Sequence, residues 1–199
     1  MHILKEEWSD YGLMNDLNED KTVACLAEIV ALGVGMHPDA AEQIREAGMS
    51  HDVGKIKLPA GIINKPGSLS EREFEIMKTH TVLGAEMLRD MPGKTGEMAR
   101  VTARYHHEWY DGGGYWGKRL CDLPRYVAVV AIADVFTALV SERPYKAAWP
   151  PDDALSYIKG QAGTQFSPWL VEAFVALIET DSRVLALFHS GGDEVAGGN

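Results

Sequence analysis

Apolar positions recur along this chain at the three-and-four spacing of an α-helix, and the two-residue alternation of a strand is scarce. From Asp20 to Leu32 the sequence sets Val23, Leu26, Ala27, Val30 and Ala31 on one face, and Gly33 and Gly35 end the run. His37-Pro38-Asp39 restarts the chain with Pro38 at a first helical position, predicting a second helix to about His51. Gly54 and Pro59 break it, and KLPAGIINKPGSLS is an irregular connection. Ser70 and Glu73 form a capping-box signature that predicts one helix from Ser70 to about Arg89, stopped by Met91-Pro92-Gly93. A further helix is expected from Thr95 to His107, followed by the glycine-rich loop Asp111–Lys118, expected to be flexible. The apolar run Pro124–Leu139 is long enough to favour a buried helix over a strand. Amphipathic helices near Pro151–Lys159 and Pro168–Glu179 close the pattern. The expectation is an all-α, single-domain helical bundle over residues 19–182. An N-terminal extension (1–18) precedes it and a tail (183–199) follows, its glycine-rich end frayed.

Composition changes this picture little. A chain of 199 residues with 46% apolar and 24% charged positions suits one globular domain. No run approaches the ~18–20 apolar residues of a membrane span. The start, MHILKEEWSDYG, is too acidic and too broken for a signal peptide, so a cytoplasmic location is expected. Cys25 and Cys121 are read as reduced thiols. The net charge of −10 argues against a DNA or RNA binder, which would carry a basic stripe. A phosphate ester would have to be drawn in by local cations, and bound metal ions would supply that charge. Oligomeric state is left open by the sequence.

The chemistry gathers at breaks and helix ends. Of seven histidines, four (His51, His80, His106 and His107) stand there, accompanied by Asp52. Asp134 is a carboxylate inside the apolar run VVAIADVF, where burial is costly without a partner or a metal. Imidazole nitrogen and carboxylate oxygen are the donors that divalent transition metals take. Adjacent ligands such as His51-Asp52 and His106-His107 diverge from a helix, so each pair can serve two ions. A two-metal site clamps a phosphoryl group and makes hydroxide from water at neutral pH. Lys55, three residues after Asp52, would hang its ammonium over such a pair, while Arg143 offers a planar fork for phosphate and Lys146 a point charge.

His51-Asp52-Val53-Gly54-Lys55 resembles the HDxGK signature of the HD superfamily of metal-dependent phosphohydrolases. Lys65-Pro66-Gly67 with Leu69, Glu73 and His80, then His106-His107-Glu108 and Asp111-Gly112-Gly113-Gly114-Tyr115, resemble its HD-GYP subgroup. Asp134 and Arg143-Pro144-Tyr145-Lys146 complete the set. The resemblance implies an all-α domain that hydrolyses cyclic di-GMP or a related cyclic dinucleotide to linear pGpG or GMP by metal-hydroxide attack on phosphorus. It implies two or three divalent ions, iron or manganese, held by His51, Asp52, His80, His106, His107 and Asp134. It further implies catalysis by Lys55 and Asp52 and substrate contacts from Arg143, Lys146 and Tyr115.

The chain also departs from that pattern. Where the family has a histidine upstream of the HD pair, Glu19 stands here as a candidate metal ligand, with Asp20 or Asn15 as alternatives. Trp116 replaces the signature proline and could stack on a base or pack against its own loop, and Ala128 takes the place of an expected arginine. These departures keep two other functions in view: a catalytically weak sensor or adaptor that binds the dinucleotide, or a diguanylate cyclase domain, through the Tyr115–Trp116 loop, and a phosphohydrolase of another nucleotide.

Overall fold

A computed structural model describes residues 14–142 and 147–189. Arg143 and Lys146 fall outside the described residues, as does the glycine-rich end from residue 190 onward. Ten α-helices are described: α1 (Met14–Gly33), α2 (Pro38–Gly48), α3 (Ala60–Ile63), α4 (Glu71–Lys78) and α5 (His80–Met87). They continue with α6 (Gly93–Tyr105), α7 (Arg125–Val140), α8 (Pro151–Gly160), α9 (Pro168–Thr180) and α10 (Ser182–His189). Short 3-10 turns cover Val53–Lys57 and Leu120–Asp122, and no strand longer than an isolated bridge occurs among the described residues. The all-α expectation matches this architecture.

The central element is α7. Its residues Val127, Val129, Val130, Ile132 and Ala133 are fully buried, which is why its apolar run shows no amphipathic stripe. It packs against α1, α6 and α8, and Phe136 meets Phe174 of α9 edge-on at 5.3 Å. Each large apolar side chain buried in this way contributes about 1.5–3 kcal/mol before the entropy of ordering is subtracted.

Two differences from the sequence pattern bear on function. The helix expected as one piece from Ser70 to Arg89 is divided at Thr79, whose hydroxyl donates back to the Ile76 carbonyl at 2.6 Å. The capping box is present as expected, with Glu73 N–H donating to Ser70 Oγ and Ser70 N–H to Glu73 Oε2. The second difference lies at the other end of the chain. Part of the segment expected as a tail forms α10, with Val184 buried against the core, a short amphipathic signal that the nearby glycines obscured.

One glycine fixes the approach of two site-bearing segments. A Cβ on Gly54 would overlap the carbonyl of His80, so only glycine lets the 53–57 turn lie directly on α5.

Candidate metal centre

Five segments bring side chains to one buried corner. Asp20 comes from α1, His51 and Asp52 from the turn after α2, His80 from the start of α5, His106 and His107 from the end of α6, and Asp134 from α7. Their donor atoms fall into three overlapping groups, each within 4.8 Å: Asp52, His80, His106 and His107; His51, His106 and Asp134; and Asp20, His51 and Asp52. Asp52 is the hub. One of its oxygens lies 3.1 Å from His80 Nε2 and 3.5 Å from His106 Nε2, and the other 3.4 Å from His51 Nε2. Lys55 Nζ sits 2.5 Å from that second oxygen, on the rim.

The ring tautomers follow from the backbone. His51 Nδ1 is 2.6 Å from the Gly48 carbonyl and His80 Nδ1 is 2.7 Å from the Met77 carbonyl. His106 Nδ1 lies 3.1 Å from the Thr102 carbonyl. A carbonyl can only accept, so in each neutral ring Nδ1 carries the proton and Nε2 presents a lone pair to the centre. The Nε2 atoms of His80 and His106 then face each other at 3.4 Å as two acceptors. Buried His51 Nε2 and Asp52 Oδ1 make no hydrogen bond. Inward lone pairs, outer nitrogens fixed by carbonyls and converging carboxylates form the arrangement that suits a bound cation. The donor set therefore fits divalent metal.

Electrostatics agree with that fit. Burial would push His51 down, but the carboxylates of Asp52, Asp134 and Asp20 outweigh it and carry the ring up to about 10, so without a metal its Nε2 holds a proton in the place a bound cation would take. His106 and His107 are instead lowered, chiefly by burial. Burial opposes ionisation of Asp52 and Asp134 as well. Even so, Lys55 and His51 hold Asp52 far below the usual carboxylate range, and His51 and His107 do the same for Asp134. The corner is built around positive charge.

The glycine-rich loop closes one side. Tyr115 lays its ring on His107 at 4.5 Å and stands 6.4 Å from His80. Burial, then Asp52 and Asp134, raise its hydroxyl to about 12, so it stays protonated. The expectation of a flexible lip meets a tethered loop. Buried Glu108 accepts the N–H of Trp116 and of Lys118, each at 2.8 Å. Tyr110 and Asp111 donate their N–H groups to Gln165 and Thr164, both at 3.0 Å. The anchoring glutamate was visible only as the third residue of the His106-His107-Glu108 block, with nothing local to reveal its role. A Cβ on Gly114 would overlap the Glu108 backbone, which explains a glycine there without any phosphate-cradling role. Trp116 takes the packing alternative. Its indole N–H donates to Thr81 Oγ1 at 3.0 Å, and the Arg104 guanidinium lies 4.5 Å from the ring centre.

Of the ligands expected from the sequence, His51, Asp52, His80, His106, His107 and Asp134 are brought together, and Lys55 and Tyr115 adjoin them. Glu19 is not in any of the three groups, and the carboxylate that α1 delivers is Asp20. One step along a helix turns a side chain by about 100°, and that step separates the two. Asp20 heads the stripe Val23, Ala24, Ala27 and Ala31, all fully buried, and this was the available signal. Arg143 and Lys146 lie outside the described residues.

An all-helical scaffold that converges imidazoles and carboxylates on one buried corner defines a helical domain of metal-binding type. Residues 10–170 match the family model described as HD domain, and the chain belongs to that family. It is 39% identical over 151 residues to the cyclic di-GMP phosphodiesterase response regulator RpfG of Xanthomonas campestris, covering 75% of this chain and 40% of that protein. It is 38% identical over 170 residues to the cyclic di-GMP phosphodiesterase of Thermotoga maritima, covering 85% and 46%. A 3'3'-cGAMP-specific phosphodiesterase 2 of Vibrio cholerae is 37% identical over 75% of this chain and 29% of its own length. The chain thus spans less than half the length of these curated relatives. Among solved structures, the PgpH HD domain of L. monocytogenes in complex with cyclic-di-AMP shares the fold. Its TM-score is 0.66 at 19% identity, covering 95% of this chain and 98% of that one.

Proposed function

We propose that this chain is a metal-dependent phosphodiesterase domain that hydrolyses a cyclic dinucleotide, cyclic di-GMP or a close relative, to its linear form. The observation that carries the reading is the convergence of four histidines and the hub carboxylate Asp52, with Lys55 on the rim. The relatives, two cyclic di-GMP phosphodiesterases and a 3'3'-cGAMP-specific one, support the same substrate class.

On this reading His51, Asp52, His80, His106, His107 and Asp134, with Asp20, hold two or three divalent ions. Mixed imidazole and carboxylate donors suit iron or manganese. Such ions supply Lewis-acid polarisation of the phosphoryl group and activation of a water nucleophile. Lys55, held 2.5 Å from Asp52, is placed to give its Nζ proton to the 3′-oxygen as the P–O bond breaks. A positioned acid of this kind is worth roughly 10²–10⁴ in rate. Tyr115, protonated at neutral pH, donates its hydroxyl hydrogen to a non-bridging oxygen, and Arg143 and Lys146 contact the substrate's phosphates. The cytoplasmic location expected from the sequence belongs to the same reading.

The test is incubation of iron- or manganese-loaded protein with cyclic di-GMP under reducing conditions, followed by chromatography of the products. Linear pGpG or GMP is expected, and Lys55→Met should lower turnover by roughly 10²–10⁴ with bound metal retained. Failure to cleave any cyclic dinucleotide with either metal would overturn the reading.

A further inference from the structure

The proposed reaction needs groups that hold the nucleobases as well as the phosphates, and the metal corner itself offers only charged and imidazole groups. Large apolar side chains left exposed among the described residues are Phe74, Val82, Met91, Trp116 and Trp169. Trp116 flanks Tyr115 in the chain, but its indole N–H is engaged by Thr81 and Arg104 stacks on the ring. Trp169 belongs to α9 and carries Arg125 at 5.6 Å. Phe74 is different. It is 42% exposed, and its ring meets that of Tyr115 edge-on at 5.6 Å. Tyr115 in turn rests on His107. An exposed aromatic surface therefore stands one ring away from the metal corner.

Its support is rigid. Phe74 N–H donates to the Ser70 carbonyl at 2.8 Å in the first turn of α4, directly after the capping glutamate. Glu73 is itself gripped by Lys65 at 2.5 Å. The helix that carries Phe74 also carries Met77, whose carbonyl fixes the His80 ring. One element thus sets both the metal corner and the aromatic beside it. Lys78 Nζ lies over the Phe74 ring, 5.6 Å from its centre, so positive charge stands on the same surface.

We infer that Phe74 is a nucleobase platform of this site: a purine of the dinucleotide stacks on its exposed surface while the phosphate lies on the metal corner. The inference rests on the phosphodiesterase reading and adds the residue that separates a nucleotide from a plain phosphodiester. Stacking on one aromatic ring is worth about one to two powers of ten in affinity.

The experiment compares wild type, Phe74→Leu and Phe74→Trp on two substrates with the manganese-loaded protein: cyclic di-GMP, and bis(p-nitrophenyl) phosphate, which has no base. Phe74→Leu keeps an apolar neighbour for Tyr115 but removes the π surface. It should lower kcat/KM for cyclic di-GMP by roughly ten-fold or more through KM, and leave the base-free ester within two-fold. Phe74→Trp should restore the dinucleotide. Calorimetric affinity of the calcium-loaded protein for cyclic di-GMP supplies a readout without turnover and should weaken in parallel. Equal losses on both substrates, or no loss in either affinity or kcat/KM for the dinucleotide, would overturn the inference. Cleavage of the base-free ester without any binding of the dinucleotide by wild type would also overturn it, leaving the metal chemistry intact. Weakened binding in Phe74→Leu without turnover in wild type would uphold the platform and remove the phosphodiesterase reading instead.

Discussion

At the scale of single residues, Asp20 and Glu19 offer a clean contrast. They are neighbours in sequence and alike in chemistry, yet only Asp20 reaches the cluster, with one oxygen 3.7 Å from His51 Nδ1. Asp20→Asn should therefore weaken metal binding by about 10- to 100-fold, the range for a residue that supports a ligating histidine. Glu19→Gln should leave metal content unchanged, and elemental analysis after dialysis against a graded chelator separates the two outcomes. A second residue-scale case is Glu73, which Lys65 and then Ser70 hold at about 2, against an ordinary 4.5. Its folded value is depressed, so the unfolded chain takes up the proton first as pH falls. The stabilisation is fully present above about pH 4.5 and is lost progressively towards pH 2. The urea midpoint of the wild type should exceed that of Glu73→Gln at pH 6, and the gap should close over that acid window.

At the scale of elements, the loop from Trp109 to Lys118 is held by side chains where a local sequence signal suggested freedom. Glu108 accepts two loop amides while buried, and its loss would leave both donors without an acceptor. Glu108→Ala should destabilise the fold by about 2–3 kcal/mol, as expected for hydrogen bonds to a charged acceptor. Amide exchange of residues 109–118 should rise, while metal content is retained. Trp116→Phe loses only the indole bond to Thr81 and should loosen the loop less. The loop also marks where sequence reasoning reaches its limit. Helix periods and caps are local, so α7, the Ser70 capping box and the proline-led starts of α2, α8 and α9 were legible. The candidate ligands His51, His80, His106 and Asp134 were legible because each sits at a break or violates an apolar run. The division at Thr79 depends on a single hydroxyl bonding back to Ile76, and the tether at Glu108 spans eight to ten residues. Neither leaves a periodic trace. The choice of Asp20 over Glu19 follows from the rotation of α1 about its axis, set by packing against α2 and α7 and traced in the sequence only by the apolar stripe that Asp20 heads.

At the scale of the whole molecule, the cluster is a junction. Asp20, the 51–52 pair, His80, the 106–107 pair and Asp134 belong to five segments whose other contacts include the shared apolar core. Without a cation, like charges and facing acceptor lone pairs oppose their convergence, as the 3.4 Å approach of His80 and His106 makes plain. A metal that binds the folded chain and not the unfolded one must therefore stabilise every segment at once. At free metal one hundred times the dissociation constant, linkage gives about 2.7 kcal/mol for one site. For a domain of this size each kcal/mol moves Tm by roughly 2–4 °C, so chelation should lower Tm by about 5–10 °C. The loss should fall on all elements together, and hydrogen exchange in α1, α5, α6 and α7 should accelerate on chelation. Mutation of Asp52 to Asn should abolish this metal-dependent shift, since its two oxygens are what the separate histidines share. A Tm that ignores chelator, in protein first shown to carry metal, would mean that the junction is held by packing alone and that the ions serve chemistry without serving the fold.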